Sequence, residues 1–543
     1  MLKIALAQIN CQVGAIEANA SKIIEWSHKA MDKGADLVLF PELSLYGYPP
    51  TDSLEQSDSW IRIERALTGI VEKAPKKGVL IFGAPLRASL ETSGKPLTNS
   101  AIVIQDGKLL SPYHKQLLPD YDIFDDPRYF REGKESRVIE VGGKRAALSV
   151  CEDIWYGAEG KENYEVDPIA KLKESGAEIL INLSASPFWL GKIRERKLVA
   201  EKVLQDSGAK FLVYCNLVGA QDEVIFDGSS FIYEVGVGFR ARAQFVREEL
   251  IIYQLGNPSE TWESHTDIEE LELALRFGIS DYFKKTGFKK ALIGLSGGID
   301  SAVVACLAVG ALGPENVLGV TMPSPYSSEG SIRDSEELAK KLGISFKTIE
   351  ISNAYRLFQK ELRVFFLEEE LSGVTDQNVQ ARIRGLLLMG ISNQTGRLLL
   401  ATGNKSELAM GYSTLYGDLC GALLPIGDLF KTEVYALARF LNANQERIPE
   451  IILKKEPSAE LAPGQKDSDQ LPDYEILDPI LKELIESKHG VLETEGLAVH
   501  FDLVRDISRR LKVSEYKRVQ APPILKVKKK SFGIGRFRMI SAL

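Results

Sequence analysis

The chain has 543 residues, with 67 Lys+Arg against 75 Asp+Glu and a net charge of −8, and at roughly 100–200 residues per domain it should hold two to four domains. Hydrophobic residues at 44% and charged residues at 26% match globular averages and exclude global disorder. The longest mostly apolar, uncharged run, residues 301–314, is shorter than the roughly 20 residues a membrane span needs. In chain order, ALAQI, DLVLF (36–40), VLIFGA (79–84), AALSV (146–150), EILINL (178–183) and FLVYCNL (211–217) read as strands. Residues 18–34 and 191–207 between them read as helices, so residues 1–246 form a layered α/β domain. Residues 247–265 are expected to be a linker, its end polar and turn-rich (NPSETWESH). From residue 266 to 543 the pattern restarts with strand 289–295, helix 301–312, strand 316–322, helix 331–343 and strand 345–351, the mark of a doubly wound parallel sheet. Residues 456–474, rich in Pro, Asp, Ser and Gln, have the length and composition of a lid loop.

Five scattered cysteines, at 11, 151, 215, 306 and 420, include no CxxC pair. They exclude a zinc ribbon and, with no signal-peptide pattern in MLKIALAQIN, predict a reducing, cytoplasmic setting. Charge is unevenly spread. Residues 516–543 carry eight Lys/Arg and no acid, leaving −16 on the preceding 515 residues. A basic tail raises nucleic acid or an acidic membrane as partners, but this one has few aromatics and no amphipathic period. Neither partner is expected.

Three reactive side chains, Glu42, Lys115 and Cys151, each follow an apolar run, and carboxyl ends of strands are where α/β folds bind ligands. A carboxylate can take a thiol proton and a lysine can stabilise an oxyanion. The words FPELSLYGYPP, YHKQLLPDYDIFDDPRYFREG, SVCEDIWY and NLSASPFWLGK together resemble the nitrilase, or carbon–nitrogen hydrolase, superfamily. That resemblance implies an αββα sandwich with Glu42 as general base, Lys115 supporting the oxyanion and Cys151 as nucleophile. It also implies glutamine binding by Tyr121, Ser186 and Lys192, with Tyr48 and Trp155 lining the pocket. Many relatives have a second glutamate where this chain has Asp126, so the reach of that shorter carboxylate is in question.

Further on, Leu295-Ser296-Gly297-Gly298-Ile299-Asp300-Ser301 joins a strand to a helix. Two glycines let the backbone turn N–H groups outward, two hydroxyls flank them, and the helix start completes an anion cradle. Asp300 there can hold Mg²⁺ that bridges phosphates. Residues 294–298 also satisfy GxSxG, but the elbow needs a later histidine, and only His489 and His500 follow, neither in a triad-like context. SGGxDS resembles the pyrophosphate loop of ATP pyrophosphatases.

QNVQARIRGLLLMGISNQTG, LLLATGNKSELAMGYSTLYGD, LLPIGDLFKTEVYALAR, KKEPSAEL and SEYKRVQAPPILKVKKKSFGIGR narrow the resemblance to NAD synthetases, and the whole chain to the glutamine-dependent NAD⁺ synthetases of bacteria. The resemblance implies an adenine nucleotide α-hydrolase-like fold in this half, with Asp300 and Glu407 holding Mg²⁺ and Thr402, Lys431 and Ser458 meeting ATP. It implies that Asn378, Arg382, Glu407 and Lys517 meet deamido-NAD⁺, with the SEYKR end of the tail closing over the anionic substrates. ATP would adenylate the nicotinate carboxylate, and ammonia released from glutamine would displace AMP. A water-poor passage for ammonia from Cys151 to Ser296, within or across subunits, and a homo-oligomer are further expectations. The alternative is another glutamine-dependent ATP-pyrophosphatase amidotransferase that acts on a different carboxylate.

Overall fold

The computed structural model describes residues 1–88, 94–158, 164–365, 371–487, 501–536 and 539–541. His489, His500 and Arg538 lie outside the described residues. The chain divides into two compact units, Met1–Asp267 and Ile268–Leu543.

In the first unit the strands are β1 (Lys3–Gln8), β2 (Leu37–Leu39), β3 (Val79–Arg87), β4 (Leu97–Gln105), β5 (Lys108–Leu109), β6 (Tyr113–His114), β7 (Val138–Val141), β8 (Lys144–Val150), β9 (Ile179–Ser184), β10 (Phe211–Asn216), β11 (Val218–Gln221), β12 (Val224–Asp227), β13 (Phe231–Glu234), β14 (Gly238–Arg242) and β15 (Glu249–Gln254). One sheet runs β15-β1-β2-β3-β4-β5, with β6 also on β4, and a second runs β14-β13-β10-β9-β8-β7. Alternation along the central strands decides which side chains face which layer. Leu6, Leu39 and Ile81 of the first sheet join Leu148, Ile181 and Val213 of the second in one buried cluster between the sheets. The opposite faces are covered by helices. Ala5, Val38 and Leu80 meet Ile23, Ile63 and Ile70 of the helices Ile16–Asp32 and Ser57–Lys73. Ala147, Leu180 and Leu212 meet Val199 and Val203 of the helix Lys192–Ser207. The layers are therefore helix, sheet, sheet, helix, as the resemblance implied.

One expectation needs correcting. Residues 249–254, read as linker, form β15, which pairs antiparallel with β1 from Lys3↔Gln254 to Gln8↔Glu249. ELIIYQ is apolar on both faces, with Tyr253 and Ile251 turned to the layer between the sheets and Leu250 and Ile252 to the helices. Such a run pairs the backbone groups of β1 and becomes the terminal strand of the sheet.

The second unit carries β16 (Ala291–Gly294), β17 (Val317–Thr321), β18 (Ser345–Thr348) and β19 (Leu398–Leu400), all parallel, in the order β18-β17-β16-β19. The chain progresses outward from β16 to β17 and β18, then returns to place β19 on the other side of β16. That reversal is a topological switch point, and the crevice beyond the carboxyl ends of β16 and β19 is where such sheets bind ligands. The helix Ile299–Leu312, apolar almost all round and buried through Ala308, starts at that crevice. Among the described residues, no helix is long and apolar enough to cross a membrane.

Candidate active sites

Cys151 directly follows β8 and has a left-handed φ of 42°, a conformation that costs energy in a residue with a β-carbon. Asp153 supports it, accepting from the backbone N–H groups of Val150 at 2.8 Å and of Gln116 and Leu117 at 2.9 Å. Glu42 lies just past β2, where its carboxylate accepts from Asn99 at 2.7 Å and from the Ala185 backbone N–H at 2.9 Å. Lys115 follows β6. Its ammonium is fully buried, 2.8 Å from Glu42 Oε1 and 2.6 Å from Asp126 Oδ2.

This geometry sets the electrostatics. Burial and the Asp126 charge push the Glu42 carboxyl up, against the pull of Lys115. Although burial opposes it, the two carboxylates hold Lys115 firmly charged. Burial, then the negative charge of Glu42, raises the Cys151 thiol far above its usual range, while Lys115 partly offsets this. Cys151 therefore rests as a thiol beside a basic carboxylate, and would have to give up its proton to react.

Asp126 does reach Lys115, and it also accepts from the Tyr48 hydroxyl at 2.8 Å. Tyr48, expected to line a pocket, is 1% exposed and committed to that carboxylate. Tyr121 donates to both oxygens of Glu152 at 2.9 Å, and Tyr164 adds a bond at 3.1 Å. The Lys192 ammonium sits 4.0 Å from the Trp155 ring centre and 3.4 Å from that of Trp189. Two aromatic faces thus hold a cation at the start of a helix, where it also pairs with Glu195 at 3.5 Å. The Ser186 backbone is fixed by Asn216 at 2.8 Å and by Arg196, whose guanidinium also pairs twice with Asp227 at 2.7 and 2.8 Å. Glu152, Asp153, Arg196 and Trp189 were not singled out in the sequence, although SVCEDIWY and SPFWLGK contain all but Arg196.

In the second unit, the turn residues Leu295, Ser296 and 298–301 line a cavity of about 290 Å³, together with Thr402, Glu407, Lys431 and Ser458. Ser296 Oγ accepts from the Gly298 N–H at 3.2 Å, and Ser301 Oγ donates to the Gly298 carbonyl at 3.0 Å, which closes the turn on itself. Lys431 Nζ stands 2.5 Å from Asp300 and 3.4 Å from Glu407. Asn404 bridges the same pair, donating to Asp300 at 3.0 Å and capping Glu407 in a reciprocal box. Burial, then the Asp300 charge, pushes Glu407 up to about 8. Two carboxylates already sharing an ammonium in this way can accept further positive charge. Part of the predicted lid, including Ser458 and Asp467, lies on the same cavity.

Asn378, Arg382 and Lys517 are not among the residues lining that cavity but converge on the segment 411–415, whose Tyr412 and Ser413 do line it. Thr414 donates to Asn378 at 2.7 Å, Arg382 donates to the Leu415 carbonyl at 3.2 Å, and Lys517 donates to the Gly411 and Ser413 carbonyls at 2.7 Å. Among the described residues, none of the basic tail's cations lines the cavity. Arg518 donates to the Leu408 and Ala409 carbonyls, Lys526 to those of Lys528 and Lys529, and Lys528 pairs with Glu433. Backbone carbonyls and the carboxylates of Glu433 and Glu515 absorb much of the tail's charge.

Comparison with known proteins shows the family. Residues 3–261 match the carbon–nitrogen hydrolase family model and residues 272–521 the NAD synthase model. The chain is 42% identical to a glutamine-dependent NAD(+) synthetase of Synechocystis and 39% identical to one of Aquifex aeolicus, each alignment covering 98% of both chains. Among solved structures, a glutamine-dependent NAD⁺ synthetase of Acinetobacter baumannii in complex with ADP superposes with a TM-score of 0.78 at 33% identity, covering 99% of this chain and 98% of that one. The two family models follow one another along the chain and the alignments run nearly the full length of those relatives, so the chain belongs to the glutamine-dependent NAD⁺ synthetase family.

Proposed function

We propose that the first unit hydrolyses glutamine at Cys151 and that the second uses the ammonia to convert deamido-NAD⁺ to NAD⁺ at the expense of ATP. In the first half-reaction Glu42 takes the Cys151 thiol proton as sulfur attacks the glutamine carboxamide, and Lys115 stabilises the tetrahedral oxyanion. Glu42 then delivers a proton to the leaving ammonia, and water hydrolyses the thioester to glutamate. Tyr121, Ser186, Lys192 and Trp155 hold the substrate, with Lys192 meeting its α-carboxylate. In the second unit the nicotinate carboxylate attacks the α-phosphate of ATP and pyrophosphate leaves. Ammonia adds to the resulting mixed anhydride, and AMP departs.

The reading is carried by one observation. Lys115 lies fully buried between Glu42 and Asp126 beside Cys151, in the same chain as a cavity where the SGGIDS turn faces Lys431 and Glu407. The carboxylates of Asp300 and Glu407 fit a hard divalent cation, and the ammonium between them stands where positive charge is needed. We assign Mg²⁺ to that pair, where it would neutralise phosphate charge. Ser296, residues 298–301, Thr402, Lys431 and Ser458 bind ATP, and Asn378, Arg382, Glu407 and Lys517 bind the dinucleotide. A homo-oligomer in a reducing, cytoplasmic setting completes the proposal, supported by five free cysteines.

The deciding assay follows NAD⁺ formation from deamido-NAD⁺ and ATP with glutamine or ammonium as nitrogen source. Cys151→Ala should abolish the glutamine-dependent reaction and leave the ammonium-dependent one largely intact. Loss of both in a folded variant, or retention of both, refutes the division of labour.

A further inference from the structure

A second anion cradle opens onto the ATP cavity, and a side chain of this protein already fills it. The helix Glu329–Leu342 begins beside the SGGIDS turn, where Gly297 packs directly on Ser331. At that helix start, Ser328 donates its hydroxyl to Glu460 Oε1 at 3.0 Å and its backbone N–H to Oε2 at 3.3 Å. Ser331 donates to Oε1 at 2.6 Å, and the Lys455 ammonium stands 3.1 Å from the same oxygen while also bonding Ser331 Oγ. One carboxylate therefore receives two hydroxyls, an amide N–H and an ammonium. That donor set suits a phosphate group.

Arg384 supplies the independent observation. It lines the same cavity and is anchored through Nε to the Met322 carbonyl at 3.0 Å, just past the end of β17. Burial pushes this guanidinium down to about 10, and the charge of Glu460 is what opposes the shift. A cation anchored this way at the carboxyl end of a strand, relieved by the charge of Glu460, is set to meet an anionic ligand. Glu460 itself sits on the segment 456–474 with a left-handed φ of 47°, a conformation that glutamate seldom adopts.

We propose that Glu460 is an internal stand-in for a phosphate of ATP: its carboxylate occupies a seat formed by Ser328, Ser331 and Lys455, and the incoming nucleotide displaces it and takes those donors together with Arg384. This rests on the assignment of ATP to the cavity. Displacement couples nucleotide entry to movement of the segment that carries Ser458. Lys455 and Arg384 then become phosphate-contacting residues, and Glu460 a competitor whose removal tightens binding.

The test is the dissociation constant of ATP, measured by titration calorimetry on the full chain for wild type, Glu460→Gln, Lys455→Met and the double variant. Inorganic pyrophosphate serves as a second probe and adenosine as a phosphate-free control. Glu460→Gln should tighten ATP and pyrophosphate by about threefold or more and leave adenosine unchanged. Lys455→Met should weaken ATP by about tenfold, and the gain from Glu460→Gln should vanish in its background. If Glu460→Gln, or Glu460→Ala should the first variant unfold early, leaves ATP affinity unchanged or weakens it, the stand-in role is overturned. An equal gain with adenosine overturns it too. Ammonium-dependent NAD⁺ synthesis by the wild type tests the underlying assignment separately, so the two can fail independently.

Discussion

The Lys115 ammonium lies closer to Asp126, at 2.6 Å, than to Glu42, at 2.8 Å. The shorter carboxylate at position 126 therefore keeps full contact, and the hydroxyl of Tyr48 fixes its other oxygen. Because the Asp126 charge helps raise Glu42, it keeps the proposed base basic. Asp126→Asn removes that charge and turns an amide N–H₂ toward one of two donors. Glutamine-dependent kcat should fall by about 10²-fold or more, within the usual range for disturbing acid–base catalysis. The acid limb of its pH profile should move to lower pH, since Glu42 loses a repelling neighbour. Ammonium-dependent synthesis should be unchanged. Steady-state rates with each nitrogen source across pH 5–9 check all three.

The resting state of Cys151 gives a second prediction. With the thiol raised by burial and by Glu42, the thiolate fraction in the free protein is small at neutral pH and has not saturated by pH 9. Alkylation of Cys151 by iodoacetamide, followed by peptide mass spectrometry, should therefore accelerate about tenfold per pH unit through pH 9.5. An ordinary exposed thiol levels off near its own value of about 8.5. A plateau below pH 8 would mean that Lys115 outweighs burial.

Much of this was legible before the fold was known. DLVLF, AALSV and KKALIGL announced where strands end, and Glu42, Cys151 and Ser296 lie within two residues beyond them. The alternation that fails to distinguish faces explains the missed strand β15, since ELIIYQ is apolar toward both layers. The partners of the tail were hidden for a different reason: Arg518 and Lys526 answer backbone carbonyls, which leave no trace in sequence. Arg384, Lys455 and Glu460 were equally hidden. Nothing in the spacing of KKEPSAEL reveals that Glu460 folds back onto Ser328 and Ser331, some 130 positions earlier.

Gly297 tests the phosphate turn without touching a charge. Its φ is 75°, and a β-carbon there would come within 2.6 Å of the Ser331 carbonyl oxygen and 2.8 Å of its Cα. Both neighbours are backbone, so the turn or the next helix must move. Gly297→Ala should lower NAD⁺ synthesis from glutamine and from ammonium alike, by about 10²-fold, as misplacements of an ångström do. Glutamine hydrolysis measured as glutamate release should survive, which distinguishes a local effect from general unfolding.

Arg196 and Asp227 are 1% and 2% exposed and joined by two hydrogen bonds of 2.7 and 2.8 Å. The same guanidinium donates to the Ser186 carbonyl at 3.0 Å, so it links a buried ion pair to a residue proposed to hold glutamine. Arg196→Met leaves Asp227 buried without its partner, which should cost about 3–5 kcal/mol of stability in the first unit. Adding Asp227→Leu removes the stranded charge and should recover much of that loss, because a buried pair replaced by apolar groups is often close to neutral. The support for Ser186 is not recovered by that second change. The double variant should therefore unfold near the wild-type temperature yet show a raised KM for glutamine, while the KM for ammonium stays the same. Stability and KM recovering together would show that Arg196 acts only as a structural ion pair.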